Sequence, residues 1–159
     1  MRPFFRASSR LIALENIASS WVGTPFALGA SVRGAGVDCV RFVAEVLREC
    51  GQISGYEFPA YTIDGGSHLD RSLVEEWLRP HPLFRELSGG PADLLPGDVL
   101  EFRIGRGVEH HVGLFAGWPS GNLWSSMGND GVKVRTLRDS SWGRRLSRCW
   151  RPMEIEVGE

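Results

Sequence analysis

The sequence predicts an α+β fold in which N-terminal helices pack on a C-terminal antiparallel sheet. Two segments with helical spacing of apolar residues lie before Gly51. After Asp98 the pattern switches to alternation with a period of two, and the links between the alternating segments are of hairpin length. The chain has 159 residues, 42% of them apolar and 23% charged, which suits one core and one domain over 1–159.

The first helix is expected over Ser9–Trp21, where positions 11, 14, 17/18 and 21 share a face and Gly23-Thr24-Pro25 ends it. A glycine-rich run with Gly29, Gly34 and Gly36 follows. It lacks the Gly-Lys-Ser/Thr ending of a phosphate-cradling loop and has no Gly-x-Gly-x-x-Gly, so it reads as a plain loop. A second helix opens at Cys39, with Asp38 as N-cap, Val40, Val43, Val46/Leu47 and Cys50 on one face, and Gly51 as C′ residue. Cys50 lies about 16 Å along the axis from Cys39, too far to bridge, and reads as inert core.

Residues 51–66 read as a connection, and a third helix is expected over His68–Arg79, stopped by Pro80 and Pro82. Leu95-Pro96-Gly97-Asp98 is a turn into strand Val99–Ile104. Further strands are expected at His110–Gly117, Asn122–Met127, Val132–Leu137 and roughly Cys149–Val157, separated by Gly, Pro, Asn and Asp.

Composition excludes several classes. A net charge of −1 without a basic stripe argues against a nucleic-acid binder. Arg144, Arg145, Arg148 and Arg151 are interleaved with Leu146, Cys149 and Trp150 and read as a solvated face. Three cysteines, none in Cys-x-x-Cys spacing, argue against a disulfide framework, a redox pair or a zinc site. No metal or cofactor is expected. The N-terminus lacks the apolar run of a signal peptide, and no stretch of about 18 apolar residues could span a membrane. The chain is expected to be made in the cytoplasm and to need delivery to any target outside it.

Cys39 sits where a thiol is easiest to activate: unsatisfied N–H groups and the positive end of the helix dipole both favour thiolate. Asp38 opposes that unless its carboxylate is engaged. The bland reading is a buried cysteine beside Val43. His110 and His111 open an apolar strand and alternate, so at most one can face Cys39. Gly113, next on the face of His111, would leave room beside the imidazole; alternatively His111 is a satisfied strand histidine. His68 and His81 read as surface residues, and Trp118 and Trp124 as core or edge packing.

Four segments in order carry a resemblance. They are Trp21-Val22-Gly23-Thr24-Pro25-Phe26, Gly36-Val37-Asp38-Cys39-Val40-Arg41-Phe42, Leu95-Pro96-Gly97-Asp98-Val99-Leu100-Glu101-Phe102, and His111-Val112-Gly113-Leu114-Phe115. From about Ile12 to Pro152 the chain resembles the NlpC family of bacterial cell-wall cysteine peptidases. It is most similar to the branch encoded in phage tails, prophages and gene transfer agents, whose members share the glycine-rich run before Asp-Cys and a tail like Trp142–Pro152.

The resemblance implies a papain-like fold with Cys39 as nucleophile, His111 as general base and acid, and Ser125 as the third, ring-orienting position. Asn129 is an alternative orienter. It implies a peptidoglycan stem peptide as substrate, with Asp38 able to bind a substrate amine as well as cap the helix. It also implies phage-like tail proteins as partners, and action at the cell wall after delivery by a phage-like particle or lysis. Phe26 stands where the family usually has Tyr near the reactive centre, and Val40 where many members have Ser. Phe26 and Ser125 also motivate the alternative of a catalytically degenerate tail or wall-binding module.

Overall fold

The computed structural model describes residues 1–58, 73–104 and 110–157. Helix α1 spans Ser8–Trp21 and buries Leu14, Ala18 and Trp21, the face expected from their spacing. Helix α2 spans Cys39–Glu49. Its start is fixed by Asp38, whose Oδ1 accepts from the Arg41 N–H at 2.9 Å. Its end is fixed by Gly51 at φ +84°, with Gly51 N–H donating to Arg48 O and Gln52 N–H to Leu47 O. This paired pattern is the Schellman motif, and it needs the left-handed conformation that glycine adopts freely.

Helix α3, Leu73–Leu78, is the described part of the helix expected over His68–Arg79; residues 59–72 lie outside the described residues. The connection after α2 is less bare than expected. Tyr56 and Phe58 pack on the core, and the Tyr56 hydroxyl donates to Glu45 at 2.7 Å.

The sheet is antiparallel, formed by β1 (Arg2–Pro3), β4 (Phe84–Glu86), β5 (Val99–Arg103), β6 (His110–Gly117), β7 (Asn122–Met127), β8 (Gly131–Thr136) and β9 (Leu146–Glu154). The strands run in the order β1-β9-β5-β6-β7-β8, with β4 also paired to β9. A short hairpin, β2 (Ser31–Val32) and β3 (Gly36–Val37), forms inside the glycine-rich run. One boundary needs correction. The last strand runs from Leu146 to Glu154, not Cys149 to Val157, because pairing with β5 begins at Leu146↔Phe102 across a register shift and pairing with β1 ends at Glu154. Arg148 on this strand pairs with Glu75 and Glu86, and Arg151 with Asp98, so part of the arginine run is ion-paired.

The sheet has two covered faces. Val99, Val112, Leu114, Trp124 and Trp150 pack against α1 and α2, with Phe42, Val43 and Leu47 fully buried between them. The other face carries Leu100, Phe102, Phe115 and Leu123, covered by Leu94, Leu137 and Trp142 of α4 (Ser140–Gly143). Each fully buried Val, Leu or Phe side chain stabilises the fold by about 1.5–3 kcal/mol relative to exposure. Trp124 is core; Trp118 is exposed, with its indole N–H donated to Pro91 O at 3.0 Å.

One irregularity of this sheet positions the candidate site. Strand β6 follows β5 as far as His110↔Arg103, and β7 follows β8 as far as Met127↔Gly131, but β6 and β7 pair only from Leu114↔Trp124 onward. Their ladder opens at the end where α2 begins. Two anchors draw β7 and β8 to the segments preceding α2. Ser126 Oγ donates to Val37 O at 2.8 Å, and Val132 N–H donates to Thr24 O at 2.9 Å. Gly131 makes the second approach possible: it sits at φ +68°, and a Cβ there would lie 2.2 Å from Thr24 O. Gly131→Ala is therefore expected to destabilise the protein by about 2–3 kcal/mol. Urea unfolding measures this, and a change within error of zero would show that the contact does not hold the two segments together.

Candidate active site

Cys39 is the first residue of α2, immediately after its capping aspartate. The amide of Phe115 donates to Asp98 O across to β5, so alternation turns the amide of Val112 towards β7. There the ladder has opened, and the Val112 amide lies at the Cys39 sulfur instead, where it favours the thiolate. The sulfur also lies at the amides of Val40 and of Cys39 itself. Backbone donors at a helix start thus converge on it, as the sequence predicts. They are outweighed: burial foremost, and then the charge of Asp38, push the thiol up to about 12. Cys39 as a residue remains partly exposed.

Asp38 is buried and engaged. Its carboxylate accepts from the Arg41 amide, from Arg41 Nη1 at 2.7 Å and from the Gly29 amide at 2.8 Å, tying the glycine-rich run to the helix start. The capping role is present. Phe26 is half-buried between Pro25 and Ala27, whose backbones bond Val37 two residues before Cys39.

His111 is 8% exposed and shares a sheet face with Phe102, its partner on β5. The imidazole lies against Phe102 and Trp142, with ring centroids 6.2 and 5.6 Å away. Burial pushes it down to about 3, and the Arg135 cation adds to the shift. Its Nε2 is buried without a hydrogen-bonding partner. Among the described residues no hydrogen bond joins the Cys39 sulfur to the His111 ring. The sulfur instead lies at the backbone amide one residue along the strand. As isolated groups at neutral pH, the thiol and the imidazole are both uncharged.

Ser125 is fully buried on β7, where its hydroxyl accepts from Arg135 Nε at 2.9 Å. It makes no hydrogen bond to His111 Nε2, contrary to the expected orienting contact, because Arg135 reaches it from the neighbouring strand β8. Asn129 is exposed in the turn between β7 and β8. The room expected beside Gly113 is taken by β7, since a Cβ there would lie 2.8 Å from Trp124 O and 3.1 Å from Ser125 Cβ. His81 also departs from its surface reading: Nδ1 accepts from the Leu83 amide at 3.1 Å, and the ring packs on Phe84 at 4.9 Å. His68 lies outside the described residues. Cys50 packs partly buried on the core.

Sequence reasoning missed Arg135, Trp142 and Ser126. Arg135 could have been found, because pairing with Leu123 puts it on the face of Ser125. Trp142 belongs to a helix of four residues, too short to show a period. Among the described residues no group of three or more metal-ligating side chains occurs, and no helix is long and apolar enough to cross a membrane.

A helix that opens on a cysteine and packs on an antiparallel sheet carrying a histidine is the papain-like α+β arrangement. The fold is shared with solved NlpC/P60 proteins. A protein similar to lipoprotein, of the NLP/P60 family, from Staphylococcus aureus superposes with a TM-score of 0.63 at 13% identity, over 96% of this chain and 44% of that one. An NlpC/P60 family protein from Bacillus cereus gives 0.60 at 19% identity, over 87% and 39%. Ly7917, solved with the hydrolyzing product of MDP, gives 0.54 at 12% identity, over 89% and 62%. The chain thus spans less than half the length of the first two. No family model and no curated protein matches the sequence.

The shift at His111 has a stability consequence. The unfolded chain takes up a proton near the ordinary histidine value of about 6.5, whereas the folded chain does so only at about 3. Between these values the unfolded state binds more protons, so stability is lost as pH falls from about 6.5 towards 3. The expected slope is about 1.4 kcal/mol per pH unit. His111→Gln should flatten this part of the urea-unfolding profile; an unchanged slope would show that His111 is not desolvated in the folded state.

Proposed function

We propose that the chain is a cysteine hydrolase of peptidoglycan stem peptides, with Cys39 as nucleophile and His111 as general base and acid. The observation that carries this reading is the Cys39 sulfur at the tip of α2, set at the Val112 amide of the strand that carries His111, in a fold shared with NlpC/P60 proteins. Another protein of similar fold, Ly7917, was solved with the hydrolyzing product of MDP, which supports a peptidoglycan-derived substrate.

In this reading the thiol proton passes to His111 as the sulfur attacks an amide carbonyl carbon, forming the S–C bond. The tetrahedral oxyanion is met by backbone N–H groups at the α2 start. The C–N bond then breaks, and His111 returns the proton to the departing amine, leaving a thioester. Water deprotonated by His111 attacks the thioester, and the acid and the free thiol are released. Because thiol and imidazole are each held neutral, attack and proton transfer are coupled within one step rather than starting from a resting ion pair. Asp38, buried and bonded to Arg41 and Gly29, acts through the helix start rather than by meeting a substrate amine directly; Phe26 offers an apolar flank. Action at the cell wall, with phage-like tail proteins as carriers, is part of this proposal and rests on the resemblance of the motifs.

A second reading, a non-catalytic wall-binding module, is favoured by one observation: the His111 imidazole packs on Phe102 and Trp142, on the sheet face opposite α2, and makes no bond to the thiol. Incubation with purified peptidoglycan, followed by mass spectrometry of soluble fragments, separates the two. The hydrolase reading expects stem-peptide fragments from the native protein and none above background from Cys39→Ala. His111→Ala should lower the rate by about 10²–10⁴-fold. Equal release by Cys39→Ala would end that reading, and retention on peptidoglycan without any release would establish the binding module.

A further inference from the structure

We propose that Trp142 is the positioning residue that holds the His111 imidazole, aromatic contact standing in for a hydrogen-bonding partner. Four observations converge on it. His111 Nε2 is buried and unpartnered, so no acceptor or donor at that atom fixes the ring. The imidazole is flanked by Phe102 and Trp142, whose planes are inclined to it by 36° and 51°. Trp142 is itself set edge-on to Phe102, with centroids 5.2 Å apart. Its other support is the Arg135 guanidinium, 5.5 Å from the indole centroid and held by Ser125 Oγ.

Rotation of the imidazole about its Cβ–Cγ bond would sweep it into one of these walls, and dense packing resists that. Trp142 is fixed in turn by its short helix, where Asp139 caps Ser141 and the Trp142 amide donates to Asp139 O at 2.9 Å. Ser125 and Arg135 act behind the indole. The charged group bearing on the imidazole is Arg135 from β8; Phe102 of β5 and Trp142 of α4 bring none. The clamp also keeps water from Nε2.

The catalytic consequence rests on the proposed hydrolase reading, but the state of the ring can be read without it. The experiment is NMR of the His111 ring in protein with labelled histidine, titrated from pH 4 to 9, alongside turnover of a stem-peptide substrate. Trp142→Ala is expected to bring the His111 titration up towards that of an ordinary histidine and to broaden its ring signals. It should also lower kcat by about 10²-fold, with KM little changed, as a misplaced catalytic group does. Trp142→Phe, which keeps a ring, should restore most of both properties. Trp142→Leu, which fills space without a ring and serves if the alanine variant does not fold, should not. A ring that titrates in the leucine or alanine variant as it does in the native protein overturns the proposal. If the native protein shows no turnover, the hydrolase reading fails while the ring titration still decides the role of Trp142.

Discussion

The candidate site depends on one approach, that of the Cys39 sulfur to the Val112 amide where the β6–β7 ladder has opened. A strand amide left inside a sheet needs a partner. In a continuous ladder β7 would supply it and the α2 tip would be shut out. Here β7 leaves β6 after Trp124, held instead by Ser126 to Val37 and, through β8, to Thr24. The freed amide is met by the helix tip. The fold places a sulfur against the strand of His111 by withholding a strand pair, so the glycine at 131 and the serine at 126 matter as much as the cysteine.

Electrostatics set the character of that site. A helix start and three backbone amides favour a thiolate, yet burial and Asp38 prevail at Cys39, while burial and Arg135 keep the imidazole uncharged. Asp38 cannot be spared to relieve this, since its carboxylate joins the glycine-rich run to α2 through Gly29 and Arg41. The same group that orders the helix start raises the thiol. With the thiol and the imidazole both uncharged, activation of the sulfur comes with the arrival of a carbonyl carbon.

Much of this was legible in the sequence. Asp38 and Gly51 bound α2 where capping chemistry puts them, and alternation located β5 to β8 within a residue or so. The α+β class followed from helices first and strands after. What escaped was set by tertiary contact. The opening between β6 and β7 has no signature of its own, since Ser126 and Gly131 look like ordinary strand and turn residues. Gly113 suggested space, whereas β7 bends across it. Ser125 was singled out by the resemblance as the ring-orienting position, but its capture by Arg135 depends on the β7–β8 register. Trp142, Arg2–Pro3 and Phe84–Glu86 belong to elements too short for any period to reveal.

The most direct measurement is covalent bridging of the two side chains. Treatment with 1,3-dibromoacetone, whose two reactive carbons flank one carbonyl, joins a sulfur and a ring nitrogen only where both reach the same small space. Proteolysis and mass spectrometry should yield a cross-linked peptide containing Cys39 and His111, absent from the His111→Gln variant. Cys39 carrying the reagent at one end only, with its other end hydrolysed or bound elsewhere, would contradict the account.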